Sequence, residues 1–268
     1  MKYKIDHDFH IHSNLSLCCK DERQTTELIL RKAVENGFDR ICLTNHFWDE
    51  EVPGASVFYQ TQNYGHLCKA LPLPQHEKVK FYFGCETDMD KFMNVGIKRE
   101  TIDKFDFVIV STTHLHMMGF TLSMEDDVLE RRAARYIERF DALLNMDMPF
   151  YKIGIAHLTC QHIANSDDTA HIRLIDLISD EEFKRLFIRS AKKGLGIEIN
   201  FDPFRYSQEQ LERILRPYRL AKKCGCKFYF GSDSHHPEEF VGLRKKFETI
   251  VKLLELQEED KFLFERGK

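Results

Sequence analysis

Short apolar runs and amphipathic stretches alternate along the chain. Runs of largely apolar residues predict strands at about 4–9, 39–44, 79–85, 107–110, 152–156, 195–199 and 227–230. Between them, apolar positions at helical spacing predict helices at about 25–36, 124–144, 180–193 and 207–223. Gly37 and Gly194 follow two of these as C-terminal stops. A charged amphipathic helix from about 238 to 264 is expected to finish the chain, with its Glu/Lys-rich end as a solvated face. The stretch 49–78, through Pro53-Gly54, Pro72 and Pro74, is the one long irregular segment.

Strands alternating with helices imply parallel pairing through right-handed crossovers. A polar residue closes nearly every predicted strand. In an open doubly wound sheet, function gathers at one switch point. In a barrel, all the strand ends converge on one face. With nearly every strand contributing, the expectation is an α/β fold, a closed or nearly closed seven-stranded (β/α) barrel of TIM-like type. No linker composition divides the chain, so residues 1–268 are expected to form a single domain.

Composition narrows the class. With 268 residues, 43% of them hydrophobic, the chain can bury one large core. A net charge of −4, from 39 basic and 43 acidic residues, gives no electrostatic case for nucleic acid or membrane partners. No apolar run is long enough to span a bilayer, and Met1-Lys-Tyr-Lys-Ile-Asp6 lacks a signal-peptide apolar region. A cytoplasmic protein with reduced thiols is therefore expected. Of the eight cysteines, Cys42 and Cys85 fit core positions and Cys224-Gly-Cys226 a helix-to-strand turn.

The strand ends carry the chemistry. Side chains alternate along a strand, so His10 and His12 project to one side, roughly 6–7 Å apart. The full set is His10, His12, His46, Glu86, His114, His157, Asp233 and His235. One divalent ion takes about four ligands, so eight suit two or three ions with Glu86 or Asp233 bridging. Imidazole with carboxylate fits Zn, Fe or Mn. Between His114 and His116, His114 is favoured as nearer the strand end, and Asp8 is expected to orient a ligand from behind. His7, His66, His76, His162, His171 and His236 fit surface or loop positions better.

Asp8-x-His10-x-His12-Ser13, Thr44-Asn45-His46, Gly84-Cys-Glu86, Ser111-to-His114, Ala156-His157 and Ser232-Asp233-Ser-His235 together resemble the PHP (polymerase and histidinol phosphatase) family. The resemblance runs from residue 5 to about 243. It implies a distorted (β/α)7 barrel, up to three metal ions and phosphoesterase activity. Two positions depart from the family pattern. Asn45 stands where the family usually has Asp, and Ser16-Leu-Cys18-Cys-Lys-Asp21 stands where many members carry a further His or Asp ligand. Cys18 as thiolate, Asp21 as carboxylate, or fewer ions are the alternatives there.

TatD-type hydrolases and amidohydrolases share the His-x-His. The His after the second strand, the final Asp-x-His and the lack of a mid-strand lysine favour the PHP resemblance. The expected chemistry is hydrolysis of a small phosphomonoester by a metal-activated water, with Arg205 and Asn200 gripping the phosphate. Asp233 or His235 is the candidate for moving a proton. Histidinol phosphate, and so histidine biosynthesis, is one substrate reading. A phosphotyrosine or nucleotide phosphatase and a non-catalytic metal-binding module are the alternatives. No Cys-x5-Arg phosphatase loop is present.

Overall fold

A computed structural model describes residues 1–264; residues 265–268 of the expected single domain lie outside it. Its strands are β1 (His7–Ile11), β2 (Arg40–Leu43), β3 (His46–Phe47), β4 (Lys80–Phe83), β5 (Cys85–Asp88), β6 (Val108–Ser111), β7 (Ile153–Ile155), β8 (Gly196–Ile199) and β9 (Lys227–Phe230). Every pairing among them is parallel, in the orders β1-β2-β4 and β3-β5-β6-β7-β8-β9. All seven strands expected from sequence are present, and two are interrupted. β2 passes into β3 across Thr44-Asn45, and β4 passes into β5 across Gly84. A Cβ on Gly84 would sit 2.5 Å from the Phe107 carbonyl oxygen, so the break needs glycine.

The ends of the chain close the ring. Phe230 N–H donates to His7 Nε2 (3.0 Å), Asp233 N–H to the His10 carbonyl (2.7 Å) and His12 N–H to the Ser234 carbonyl (3.1 Å). Ile11 and Ser234 form a parallel bridge. The first strand runs through His10 instead of stopping before it, a correction to the expected 4–9. Its register shifts between Asp8 and Ile11, and the consecutive Phe9 and His10 both reach the interior.

Two packed clusters follow. One takes Phe9, Cys42, Tyr82, Ile109 and Tyr229 from five strands, joined by Phe107 and Ala156 at strand ends. Side chains from opposite strands meet only through the middle of a barrel, so this cluster fills its interior. The other cluster lies between the strands and the surrounding helices. Thr25 caps helix Thr26–Asn36 by accepting from Leu28 N–H, and Gly37 ends it at φ 67°. Ser179 caps Asp180–Lys193, and Ser207 with Gln210 makes a capping box for Gln208–Lys223. Helix Leu129–Asn145 starts later than expected, after a short turn at Met124–Asp126, and the largely apolar segment Ala170–Leu177, just after the polar run 165–169, forms a helix where none was expected. No helix among the described residues is long and apolar enough to cross a membrane.

The C-terminal expectation needs correcting. The helix covers only Leu243–Leu253, not 238–264. Beyond it the chain turns back, pairs Lys261 with Phe228, and inserts Phe262 and Phe264 into the interior cluster. Burying two phenyl groups outweighs continuing a charged helix in water. Phe262→Ala should lower unfolding stability by about 3–5 kcal/mol. Val57→Ala, at an exposed site, should stay within about 0.5 kcal/mol. Urea denaturation of both variants distinguishes the plug from an ordinary tail.

Candidate metal centre

The carboxylate of Glu86 sits where the strand ends converge. Parallel register places His46 of β3 directly beside it on β5. Its Oε2 is 3.1 Å from His46 Nδ1 and 3.3 Å from Nε2 of both His10 and His12. Its Oε1 is 3.3 Å from His157 Nε2 and accepts from Ser111 Oγ. Burial opposes ionisation of Glu86, yet the His46 and His10 imidazoles beside it hold its carboxyl well below the usual range. Asp233 follows the same logic: burial works against its charge, and His10, His12 and His235 prevail.

Hydrogen bonds at the far ring nitrogens fix which nitrogen faces inward. His10 Nδ1–H donates to Glu198 Oε1 (2.6 Å). His114 Nδ1–H donates to Asp88 Oδ2 (2.8 Å) and His235 Nδ1–H to the Asp233 carbonyl (2.7 Å). His12 is set by a longer chain. The Asn45 Oδ1 accepts from Ser16 Oγ–H (3.0 Å), which leaves Ser16 Oγ to accept from His12 Nδ1–H (3.0 Å) and His46 N–H (3.2 Å). Asn45 thus does its positioning as a neutral amide.

The outcome is a set of inward acceptors. His10 Nε2 and His12 Nε2 face each other at 3.1 Å, with Asp233 Oδ1 3.3 and 3.1 Å away. Two buried imidazole acceptors beside the buried Glu86 and the half-buried Asp233 carboxylates call for a cation among them. The donor chemistry fits a divalent ion.

Four groupings have ligand atoms within 4.8 Å of one another: His10-His12-Glu86-Asp233, Glu86-His114-His157, His12-Cys18-His46-His235 and His10-His157-Glu198. Each of the eight residues singled out from sequence falls in at least one. His116 falls in none; its ring stacks on His162 at 4.1 Å, and burial beside His114 and His162 holds its pKa down at about 2. Asp21 is turned away, its Oδ1 2.9 Å from Arg23 Nε.

Several expectations change. Asp8 does not orient an imidazole; its Oδ1 accepts from Ser232 N–H (2.9 Å) and pins the loop after β9, while burial pushes its pKa up to about 7. His7 and His171 are fully buried, not surface residues. His7 bonds Asp6 (2.9 Å), and His171 lies 3.4 Å from the Tyr206 hydroxyl. Glu198 was missed although a carboxylate inside the apolar strand Gly196–Ile199 is a legible signal. Its Oε2 accepts from His157 N–H (2.6 Å), so one buried carboxylate holds two ligand residues. Gly231 makes room for it, since a Cβ there would collide with Glu198 Oε1 and lie 2.5 Å from His10 Cβ.

Arg139 had no sequence signal at all. Fully buried, it donates to the carbonyls of Thr112 and Met89 (both 2.7 Å) and Asp90 (3.0 Å), fixing the turns that carry Asp88 and His114. Beside the centre opens a cavity of about 970 Å³ lined by His157, Asp233, Asn200, Arg205, Asp202 and Lys246, among others. Arg205 is 77% exposed and 3.5 Å from Asp202. The Lys246 ammonium lies over the Phe247 ring and makes no ion pair among the described residues.

A model of the PHP domain matches residues 8–202, a stretch that holds six of the eight donors and stops short of Asp233 and His235. No curated protein matches the chain significantly. Among solved structures, the fold is similar to histidinol phosphate phosphatase from Lactococcus lactis, complexed with zinc, L-histidinol and phosphate. Identity is 20% over 96% of this chain and 98% of that one, with a TM-score of 0.66. It is also similar to a putative histidinol phosphatase from Listeria monocytogenes, at 17% identity over 87% and 97% of the two chains and a TM-score of 0.60.

Glu198→Gln keeps the shape but puts an amide N–H2 against one of two donors. Metal affinity should fall about 10–100-fold, read by competition with a chromophoric chelator, with the circular dichroism spectrum unchanged. An unaltered affinity would show that Glu198 does not hold His10 and His157 in place.

Proposed function

The chain belongs to the PHP family, and we propose that it is a metal-dependent phosphoesterase acting on a small phosphomonoester, with histidinol phosphate as the first candidate. The observation that carries this reading is Glu86, one buried carboxylate shared by imidazoles from β1, β3 and the end of β7, next to a large cavity.

His10, His12, Glu86 and Asp233 would hold one ion, and Glu86, His114 and His157 a second. Bound divalent ions supply Lewis acidity toward phosphoryl oxygens and bring the pKa of water towards neutrality. The protein's own groups do the rest. Lys246 and Arg205 put positive charge on the cavity wall, and Asn200 adds a neutral hydrogen-bonding amide, an arrangement suited to a phosphate dianion. Lys246 has the stronger claim, because Arg205 is shared with Asp202 and largely hydrated. Asp233 touches both the cavity and the His10-His12 pair, which suits it to exchange protons with water there; His235, 3.7 Å from its Oδ1, backs it. The barrel interior behind the centre is filled with phenyl and phenol rings, which closes the site to water from below.

The remainder of the substrate is addressed by Asp168 and Asp202 on the same wall. Carboxylates there favour a cationic organic group, as an amine or imidazolium would offer. The Lactococcus protein, crystallised with zinc, L-histidinol and phosphate, supports this choice.

Purified protein should carry divalent metal and hydrolyse histidinol phosphate within a panel that also holds a nucleoside monophosphate and a phosphotyrosine peptide. Chelator should abolish turnover and added Zn, Mn or Fe restore it. His10→Ala and Asp233→Ala should each lose activity by about 10³-fold or more, whereas His76→Ala at the surface should not. Chelator-resistant hydrolysis would contradict the mechanism; preference for another ester would move the substrate only. Metal without any hydrolysis would point to a binding module.

A further inference from the structure

Cys18 stands in the loop after β1, and its sulfur lies 3.0 Å from His235 Nε2. With His12 and His46 these two residues form one of the groupings within 4.8 Å. Tetrahedral zinc with nitrogen and sulfur donors has ligand atoms about 3.3–3.6 Å apart, as follows from bond lengths near 2.0–2.1 and 2.3 Å. The grouping closes on an ion with small side-chain adjustments.

His12 has only one nitrogen to give. Its Nδ1 is committed to Ser16, and its Nε2 lies 3.1 Å from both His10 Nε2 and Asp233 Oδ1. It therefore belongs to the first ion, and the third grouping keeps Cys18, His46 and His235. His235 Nδ1 is committed to a backbone carbonyl, which leaves Nε2 pointing at the sulfur.

Resting on the metal-centre reading above, we propose that Cys18 is a sulfur ligand of a third ion held with His46 and His235. This makes one position of the centre a thiolate site with a preference for soft, borderline ions. The S–H proton leaves to solvent as the metal–sulfur bond forms, so no oxidant or reductant is needed. Thiolate with two imidazoles favours zinc or cobalt over manganese and magnesium, while the two oxygen-richer positions accept a wider range. With three protein donors, a tetrahedral ion there would keep one position open.

Cobalt titration of the metal-free protein tests this directly. Visible d–d bands report ions at any of the positions, and a near-ultraviolet sulfur-to-cobalt charge-transfer band reports the thiolate. The band should appear in the wild type and in Cys160→Ser, whose thiol lines the neighbouring cavity, and vanish in Cys18→Ser. Cys18→Ser should also bind one zinc fewer per chain at saturation, while its d–d bands at the other positions persist and show that it folds. Visible bands without the charge-transfer band in wild type, or a band that survives Cys18→Ser, would overturn the assignment and leave the centre standing. Absence of cobalt bands altogether would overturn the metal-centre reading itself.

Discussion

Everything at the centre depends on the register in which the end of β9 meets β1. Two backbone hydrogen bonds, Asp233 N–H to the His10 carbonyl and His12 N–H to the Ser234 carbonyl, set it. A one-residue slip would turn the Asp233 side chain to the other face. That contact lies at opposite ends of the sequence, and it alone places Asp233 Oδ1 between the two imidazoles of β1. Asp8 and Gly231 serve the same register, the one by holding Ser232 N–H, the other by letting Glu198 approach. Asp233 adopts φ 55°, a left-handed conformation tolerated by Asp and held here by the ladder around it.

The energetics of the site follow from that closure. Carboxylates as deeply buried as Glu86 and Glu198 are costly unless every lone pair is answered. At Glu198 the His10 Nδ1–H and the His157 amide answer them; at Glu86 the Ser111 hydroxyl answers one, and the lone pairs facing the inward imidazoles call for a cation. The imidazoles in turn are locked by partners on their outer nitrogens, so their inward lone pairs are fixed before any ion arrives. The aromatic plug of Phe262 and Phe264 keeps the floor dry and rigid. Arg139 spends its fork of donors on the turns above β5 and β6.

The strands and their polar ends were legible because each obeys a local rule: an apolar run, a stop, then a ligand-type side chain. Gly37 and Gly194 likewise act within one turn of chain. What the sequence hid depends on distance. Glu198 reads as one polar residue in a strand until His10 is folded 188 positions away onto it. Cys18 is one of several alternatives for its loop in the sequence, and it is separated from Asp21 only once His235 reaches it across 217 positions. Phe262 and Phe264 sit in a charged tail whose helical pattern gives no hint that two rings leave it for the barrel. His7 and His171 look like any other histidine until burial decides them.

The central claim is that a closed parallel barrel gathers these donors around Glu86 to hold several ions side by side. Anomalous diffraction from crystals grown with zinc tests it most directly. The account predicts strong peaks bracketing the Glu86 carboxylate, one bounded by His10, His12 and Asp233 and another by His114 and His157. A single peak away from Glu86, or none with the His10–Asp233 register intact, would contradict it.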